Sequence, residues 1–235
     1  MKIDPSFTRM VVLEEVANRC KFPREALYDL QRLTWYVPEE GGVLRVGILP
    51  ITVKGWGKMR RIEVKRAGTV VERDRSLAFV EAQRFVGHVK ASFACRVVET
   101  NDLLSTEPHA PQADPYGRGW IARVEPVEGD GPATLMGFEE VREELERTIR
   151  ERGIVCFREV PEVTVAALGV ECSMALMVLK DQIEQVPVGT IIQLVAEGDE
   201  SSEMEVMRWS RITGHEVVEF FREGRIVHVL VRRKG

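Results

Sequence analysis

The sequence predicts an α+β protein of two domains, and three observations lead to this prediction. The chain has 235 residues, which exceeds one typical domain of about 100 to 200 residues. Short runs of alternating β-branched and aromatic residues fill residues 42–124, as in an all-β domain. Later residues alternate strand-like and helix-like runs. We expect the boundary between Gly153 and Pro161, which gives domains at residues 1–152 and 160–235.

Composition restricts the class of function. Hydrophobic residues make up 44% of the chain and charged residues 30%, which excludes a disordered or collagen-like protein. The formal charge of −4 argues against binding to nucleic acid, because phosphate binding needs surplus Lys and Arg. No apolar window of about 18 residues exists, and residues 1–10 lack the apolar core of a signal peptide. We therefore expect a soluble cytoplasmic protein that binds no membrane.

The spacing of cysteines and histidines indicates neither a metal site nor a disulfide framework. The four cysteines form no CxxC pair, and the four histidines show no HxxxH or HExxH spacing. We therefore expect most of the cysteines to be buried thiols, and no bound metal. The cysteines are Cys20, Cys95, Cys156 and Cys172.

The first domain is predicted to begin with helices and to continue in strands. The first 37 residues are expected to be helical, because Met10, Leu13, Val16 and Ala17 lie near a 3.6-residue period and the run Glu25-Ala-Leu-Tyr-Asp-Leu-Gln-Arg-Leu33 follows. Pro23 would divide them into two pieces. Strand-like runs separated by glycine-rich turns follow. A loop then precedes a helix at residues 137–152.

The second domain is predicted to follow the order β-α-β-α-β-β, a two-layer α/β sandwich. Strands are expected at residues 163–168 and 190–196, and helices at residues 173–185 and 202–213. Two further strands form a hairpin at the end of the chain. Ser201 or Ser202 suits the N-cap of the second helix, and Gly214 its end.

A collinear set of short motifs in the first domain carries a family resemblance. The set lies between Leu30 and Leu145 and resembles the glycine cleavage system H-protein family. The resemblance implies a lipoyl-domain-like barrel-sandwich hybrid, all-β with flanking helices, in which a hairpin tip carries a lysine acylated by lipoic acid. The motifs are Val46-Gly-Ile-Leu-Pro50, Gly57-Lys-Met-Arg-Arg-Ile-Glu-Val64, Ala67-Gly-Thr-Val-Val-Glu72, Phe79-Val-Glu-Ala82, Val97-Val-Glu-Thr-Asn101 and Asp114-Pro-Tyr-Gly-Arg-Gly-Trp-Ile121.

The attachment lysine of that family is replaced here. Where the family reads Glu-Ser-x-Lys, this chain reads Glu81-Ala-Gln-Arg84. A guanidinium stays protonated at any working pH and is not acylated, so we expect a degenerate lipoyl site at Arg84 and no lipoate cofactor. Lys90 lies six residues further, roughly 20 Å along a strand at about 3.3 Å per residue, and is a poor substitute. Arg84 is then either an anion- or partner-binding residue or a solvated hairpin residue.

The second domain resembles the TusA (SirA-like) sulfur carriers over Val163 to Lys234. These are small two-layer domains with one reactive cysteine, and the resemblance implies that Cys172 carries sulfur as a persulfide. The motifs are Leu168-Gly-Val-Glu-Cys172, Met177-Val-Leu-Lys180, Val188-Gly-Thr-Ile-Ile-Gln-Leu-Val-Ala196 and Thr213-Gly-His-Glu-Val-Val-Glu219.

The chemistry of Cys172 is open from the sequence. The cysteine is expected where a strand ends and a helix begins, and the amides and dipole of that helix would favour a thiolate. The charge of Glu171 opposes thiolate formation. The family places prolines after the cysteine, whereas this chain has Ser173, Met174 and Ala175. An exposed Cys172 would favour sulfur transfer, and a buried one an inert scaffold.

No catalytic constellation is recognisable, so we expect a carrier or adaptor and no enzyme. Three functions remain. The first is a sulfur relay in which Cys172 carries a persulfide and the first domain docks a partner. The second is an interaction or regulatory module in which both ancestral sites are degenerate, and the third is a lipoyl carrier related to glycine cleavage. Each implies partner proteins of sulfur transfer or of a system like glycine cleavage.

Overall fold

A computed structural model describes residues 13–127 and 131–235 of the chain. The chain divides into two compact units, residues 1–158 and residues 159–235. Sheets dominate both units and helices are few, so the protein is of mixed α+β class. Within the described residues, no helix has the length and apolar character needed to cross a membrane.

The first unit consists of a seven-stranded sheet, a three-stranded sheet and a separate hairpin among its described residues. The elements are β1 Leu13–Ala17, β2 Cys20–Pro23, β3 Leu27–Asp29, β4 Thr34–Pro38, β5 Leu44–Ile48, α1 Val53–Trp56, β6 Met59–Val64, β7 Val70–Val71, β8 Ser76–Ala82, β9 Phe85–Lys90, β10 Cys95–Thr100, α2 Ala110–Ala113, β11 Ala122–Pro126, β12 Met136–Gly137 and α3 Phe138–Glu151. The large sheet has the strand order β12-β3-β4-β5-β11-β10-β7, the small sheet has the order β6-β8-β9, and β1 pairs with β2.

The prediction of helices at the start of the chain is wrong for residues 13–37, which form β1 to β4. Residues 1–12 lie outside the described residues. The turn between β1 and β2 consists of Asn18 and Arg19, both with positive φ, and Ala17 pairs with Cys20 across it. Two left-handed residues match the twist of a two-residue hairpin, and Asn adopts this conformation readily. A few apolar residues near a helical period on either side of Pro23 are too few to outweigh that turn.

Two clusters of buried side chains hold the first unit together. The first is formed by inward-facing residues of the seven-stranded and three-stranded sheets, including Val46 and Val80. The second joins the early strands to one face of α3, where Leu145 and Ile149 are fully buried against residues such as Trp35. Helix α3 therefore packs on the early strands through an apolar stripe of the kind predicted for residues 137–152.

Cys20 and Cys156 form a disulfide, which corrects the expectation that most of the cysteines are buried thiols. The two residues are 136 positions apart, and their Cα atoms lie 4.9 Å from each other. The main-chain amide of Cys156 also donates a hydrogen bond to the carbonyl of Asn18, at 3.1 Å. Spacing rules use local patterns, so a pair brought together by packing at this separation escapes them. Cys95 and Cys172 are buried thiols.

A buried carboxylate connects β3 to neighbouring loops. Asp29 is 7% exposed and accepts hydrogen bonds from the main-chain amide of Arg32, at 2.9 Å, and from its Nη1, at 2.8 Å. Burial raises the pKa of Asp29, but hydrogen bonds from Ser92 and Arg32 outweigh it, so the pKa lies below the usual value. The ionised form is thus better stabilised in the folded than in the unfolded chain.

We expect Asp29→Asn to reduce stability at neutral pH. A depressed pKa contributes stability above the unfolded pKa of about 3.9, and this contribution is lost as the pH falls through the folded value. The difference in urea midpoint between wild type and variant should therefore narrow below a pH of about 4. Asp102→Asn removes an exposed carboxylate and serves as the control. A midpoint difference that is unchanged at low pH would show that the charge of Asp29 is not the cause.

The second unit is a four-stranded sheet with two helices. The elements are β13 Val163–Ala167, α4 Cys172–Ile183, β14 Ile191–Glu197, α5 Ser202–Thr213, β15 Glu216–Glu223 and β16 Ile226–Arg232. The strand order is β13-β14-β16-β15, with β13 parallel to β14 and the other pairs antiparallel. A parallel pair needs a crossover, and α4 supplies it. The core joins Leu179 and Ile183 of α4 to Leu194 and Val229 of the sheet.

Candidate functional site

Arg84 lies at the tip of the β8–β9 hairpin. Gln83 and Arg84 form its turn, and Ala82 pairs with Phe85 at its base. Main-chain hydrogen bonds hold the turn against the preceding connection, from the amide of Gln83 to the carbonyl of Lys58, at 3.1 Å, and from the amide of Arg84 to the carbonyl of Trp56, at 2.8 Å. The side chain of Arg84 is exposed. The hairpin therefore presents this side chain from a fixed backbone.

An aromatic pair supports the same tip. The rings of Trp56 and Phe85 are stacked with centroids 4.2 Å apart. Gly57 has a φ of +68°, and a Cβ there would lie 2.8 Å from Oε1 of Gln83, so only glycine fits this close approach. Lys90 is exposed at the other end of β9, opposite Ser76. Arg84, just before β9, and Lys90, the last residue of β9, thus lie at opposite ends of this strand.

Cys172 is the first residue of α4 and borders a cavity of about 930 Å³. The residue is 6% exposed, and it also belongs to the apolar core of the second unit. Its position at the helix start agrees with the sequence prediction, whereas its low exposure is the observation that favours a scaffold. Cys172 is therefore part of both the core and the cavity wall.

The environment of Cys172 favours the thiol and not the thiolate that the helix N-terminus alone would favour. Burial raises the pKa of the Cys172 thiol, the Ser202 hydroxyl lowers it by a hydrogen bond, and Glu205 raises it through both its charge and a hydrogen bond. Asp199 raises it further, so the pKa lies above the ordinary value. The helix N-terminus does not overcome burial and two neighbouring carboxylates. The resting group is a thiol.

Sequence reasoning missed most of the cavity wall. Ser202 was predicted only as a helix cap; it is 1% exposed, and its Oγ accepts a hydrogen bond from the amide of Asp199, at 2.9 Å. Glu205 and Arg222 come from α5 and β15, which tertiary packing brings to Cys172. The spacing of Ser202 and Glu205, one helical turn apart, was the available signal. Among residues 13–127 and 131–235, no group of three or more His, Cys, Asp or Glu side chains is arranged to hold a metal ion.

Comparison with known proteins assigns both units to families. The family model for the glycine cleavage H-protein matches residues 27–148, and that for the sulfurtransferase TusA matches residues 163–233. Two glycine cleavage system H proteins of Aquifex aeolicus, numbered 5 and 2, are each 31% identical to this chain, over 144 and 147 residues. The alignments cover 59% and 62% of this chain, and 97% and 91% of those proteins.

A solved structure is also similar. The crystal structure of a glycine cleavage system H protein from Mycobacterium marinum is 25% identical, with a TM-score of 0.46, and the match covers 57% of this chain and all of that one. The H-protein model alone accounts for more than half of the chain. The chain therefore belongs to the glycine cleavage H-protein family, as a fusion in which a TusA-like domain follows the H-protein-like domain.

Proposed function

We propose that the protein is a non-enzymatic carrier in which Cys172 holds sulfur as a persulfide and the H-protein-like unit docks a partner protein. H proteins and TusA proteins are carriers that work with partner proteins, which supports this class of function. The observation that carries the proposal is the position of Cys172 at the start of α4, on the wall of a cavity of about 930 Å³. Such a cavity accommodates the reactive cysteine of a donor.

The transfer needs no redox partner. The Cys172 thiolate attacks the outer sulfur of a donor persulfide, one S–S bond forms and the donor's S–S bond breaks. The donor leaves as a thiolate and takes up the proton that Cys172 released. Because burial and carboxylates raise the pKa of Cys172, we expect loading to accelerate as the pH rises above neutrality.

The proposal predicts that incubation with a small persulfide adds the mass of one sulfur atom to the protein. Intact-mass spectrometry before and after treatment measures this. Cys172→Ser should gain nothing, and Cys95→Ser should gain the same mass as wild type, because Cys95 is 1% exposed in the core. An unchanged mass, or a gain that persists in Cys172→Ser, would overturn the assignment of Cys172.

A second function, an interaction module with both ancestral sites degenerate, is favoured by the burial of Cys172 and its raised pKa. A module of this kind would bind partners without carrying sulfur. The same measurement separates the two proposals, since the module predicts no gain of mass at any pH.

A further inference from the structure

The cavity beside Cys172 is strongly acidic. Among the described residues, its wall contains five carboxylates and two arginines. They come from the N-cap of α4, the end of β14 and its connection to α5, the first turn of α5, and the β15–β16 hairpin. The carboxylates are Glu171, Glu197, Asp199, Glu200 and Glu205, and the arginines are Arg222 and Arg225.

Both arginines have partners within the wall. Nη2 of Arg225 lies 3.7 Å from Oε2 of Glu197, and Nη1 of Arg222 donates to the carbonyl of Gly224, at 3.2 Å. Arg222 also acts on Asp199 through its charge. Two cations cannot balance five anions, so the cavity keeps a negative field.

Glu205 is the wall carboxylate whose hydrogen bond and charge both act on the thiol. Its side chain is exposed and lines the same cavity as Cys172, and it raises the pKa of the Cys172 thiol through a hydrogen bond and through its charge. A group that approaches the sulfur of Cys172 must therefore come close to this carboxylate.

We infer that this acidic wall selects a sulfur donor that carries positive charge beside its reactive sulfur, and that Glu205 makes the largest contribution to the selection. The inference rests on the proposed function of Cys172. A cleft lined by charges of one sign concentrates ligands of the opposite charge and repels ligands of the same charge. A docked cation also offsets the carboxylates that keep the thiol protonated, so it favours the thiolate at the moment of transfer.

The test uses two methanethiosulfonate reagents with the same reactive group, one bearing a trimethylammonium and the other a sulfonate. The rate at which each reagent modifies Cys172 is followed by intact-mass spectrometry, with Cys172→Ser as the blank. Each rate is divided by the rate of the same reagent with mercaptoethanol, which removes the intrinsic difference in reactivity between the two reagents. We expect the normalised cationic rate to exceed the anionic rate about tenfold, and to approach it at high salt. A normalised ratio near one at low salt would overturn the inference.

A matched pair of variants identifies the residue. Glu205→Gln and Glu203→Gln each remove one carboxylate from the first turn of α5, but only Glu205 lines the cavity. We expect Glu205→Gln to lower the ratio several-fold and to lower the apparent pKa of Cys172 in the pH profile, and Glu203→Gln to change both little. The ratio cancels the thiolate fraction, because both reagents meet the same thiol in the same sample. Equal effects of the two variants would contradict the role of Glu205.

Persulfides of cysteamine and mercaptopropionate separate this inference from the function on which it rests. Sulfur transfer from the cationic donor well above the anionic one supports both proposals. Equal transfer from both donors overturns the charge selection and leaves the carrier function standing. No transfer from either donor, with the reagent ratio intact, overturns the carrier function and leaves a cation-selective cavity.

Discussion

The Arg84→Lys variant is expected to accept lipoate, whereas the wild-type chain accepts none. The reason is the chemistry of one atom, since acylation requires an amine that can lose its proton and a guanidinium does not. Lipoate ligase, lipoate and ATP, followed by intact-mass spectrometry, measure the outcome. The expected change is from no modification to one lipoyl group per chain, the largest effect that we predict.

The hairpin is suited to this restoration because main-chain contacts set its shape. The amides of Gln83 and Arg84 donate to the carbonyls of Lys58 and Trp56, and these bonds do not depend on the guanidinium. The ring of Phe85 is stacked on Trp56 below the turn. A lysine at position 84 would therefore occupy the same exposed tip.

The control is Arg60→Lys, which places the same new amine on an exposed residue of the adjacent strand. This variant should stay unmodified, since a ligase reads the hairpin tip and not any surface lysine. Lipoylation of the wild-type chain, at Lys90 or elsewhere, would overturn the proposal that the lipoyl site is degenerate. An unmodified Arg84→Lys would show that Ala82, where the family has Ser, also departs from what the ligase requires.

The helices of the second unit could be predicted because their signals are local. Helices expected at residues 173–185 and 202–213 are found at Cys172–Ile183 and Ser202–Thr213. The second ends at Gly214, whose φ of +77° is the conformation that favours glycine there. The early strands were missed because short strands paired in hairpins bury single residues, and their pattern over a few positions resembles a helical period.

The candidate sites show the same difference between features set by local sequence and features set by tertiary packing. Arg84 and Cys172 could be located from the sequence, because each follows from a local motif and a local turn or helix start. The environment of Cys172 could not, since Glu205 and Arg222 reach it from later elements through packing. The sign of the pKa shift depends on those neighbours and on burial, so the local motif, with its helix start and Glu171, left the direction open. The Cys20–Cys156 pair is likewise a tertiary property.

Gly119→Ala is expected to destabilise the first unit by about 1 to 3 kcal/mol, the cost typical of overpacking. A Cβ at this position would lie 2.3 Å from the carbonyl oxygen of Ala110 and 2.6 Å from Cα of Pro111. These are main-chain atoms of α2, which cannot turn aside as a flexible side chain would. The helix also carries Gln112, whose Oε1 accepts from the amide of Met59 and whose Nε2 donates to the carbonyl of Gly57, both at 2.8 Å. Displacement of α2 therefore disturbs the connection beneath the Arg84 hairpin.

Gly131→Ala is the matched control, because a Cβ there meets nothing within 4 Å and its φ of −135° suits any residue. Its effect should stay within about 0.5 kcal/mol. Urea unfolding followed by tryptophan fluorescence in a Trp209→Phe background reports on the first unit alone, since the other tryptophans lie in it. If both alanine variants unfold at the same midpoint, α2 yields without cost, and the glycine of the Asp114-to-Ile121 motif is not required for packing. A lower midpoint for Gly119→Ala alone would show that the close approach of α2 leaves no room for a Cβ at position 119.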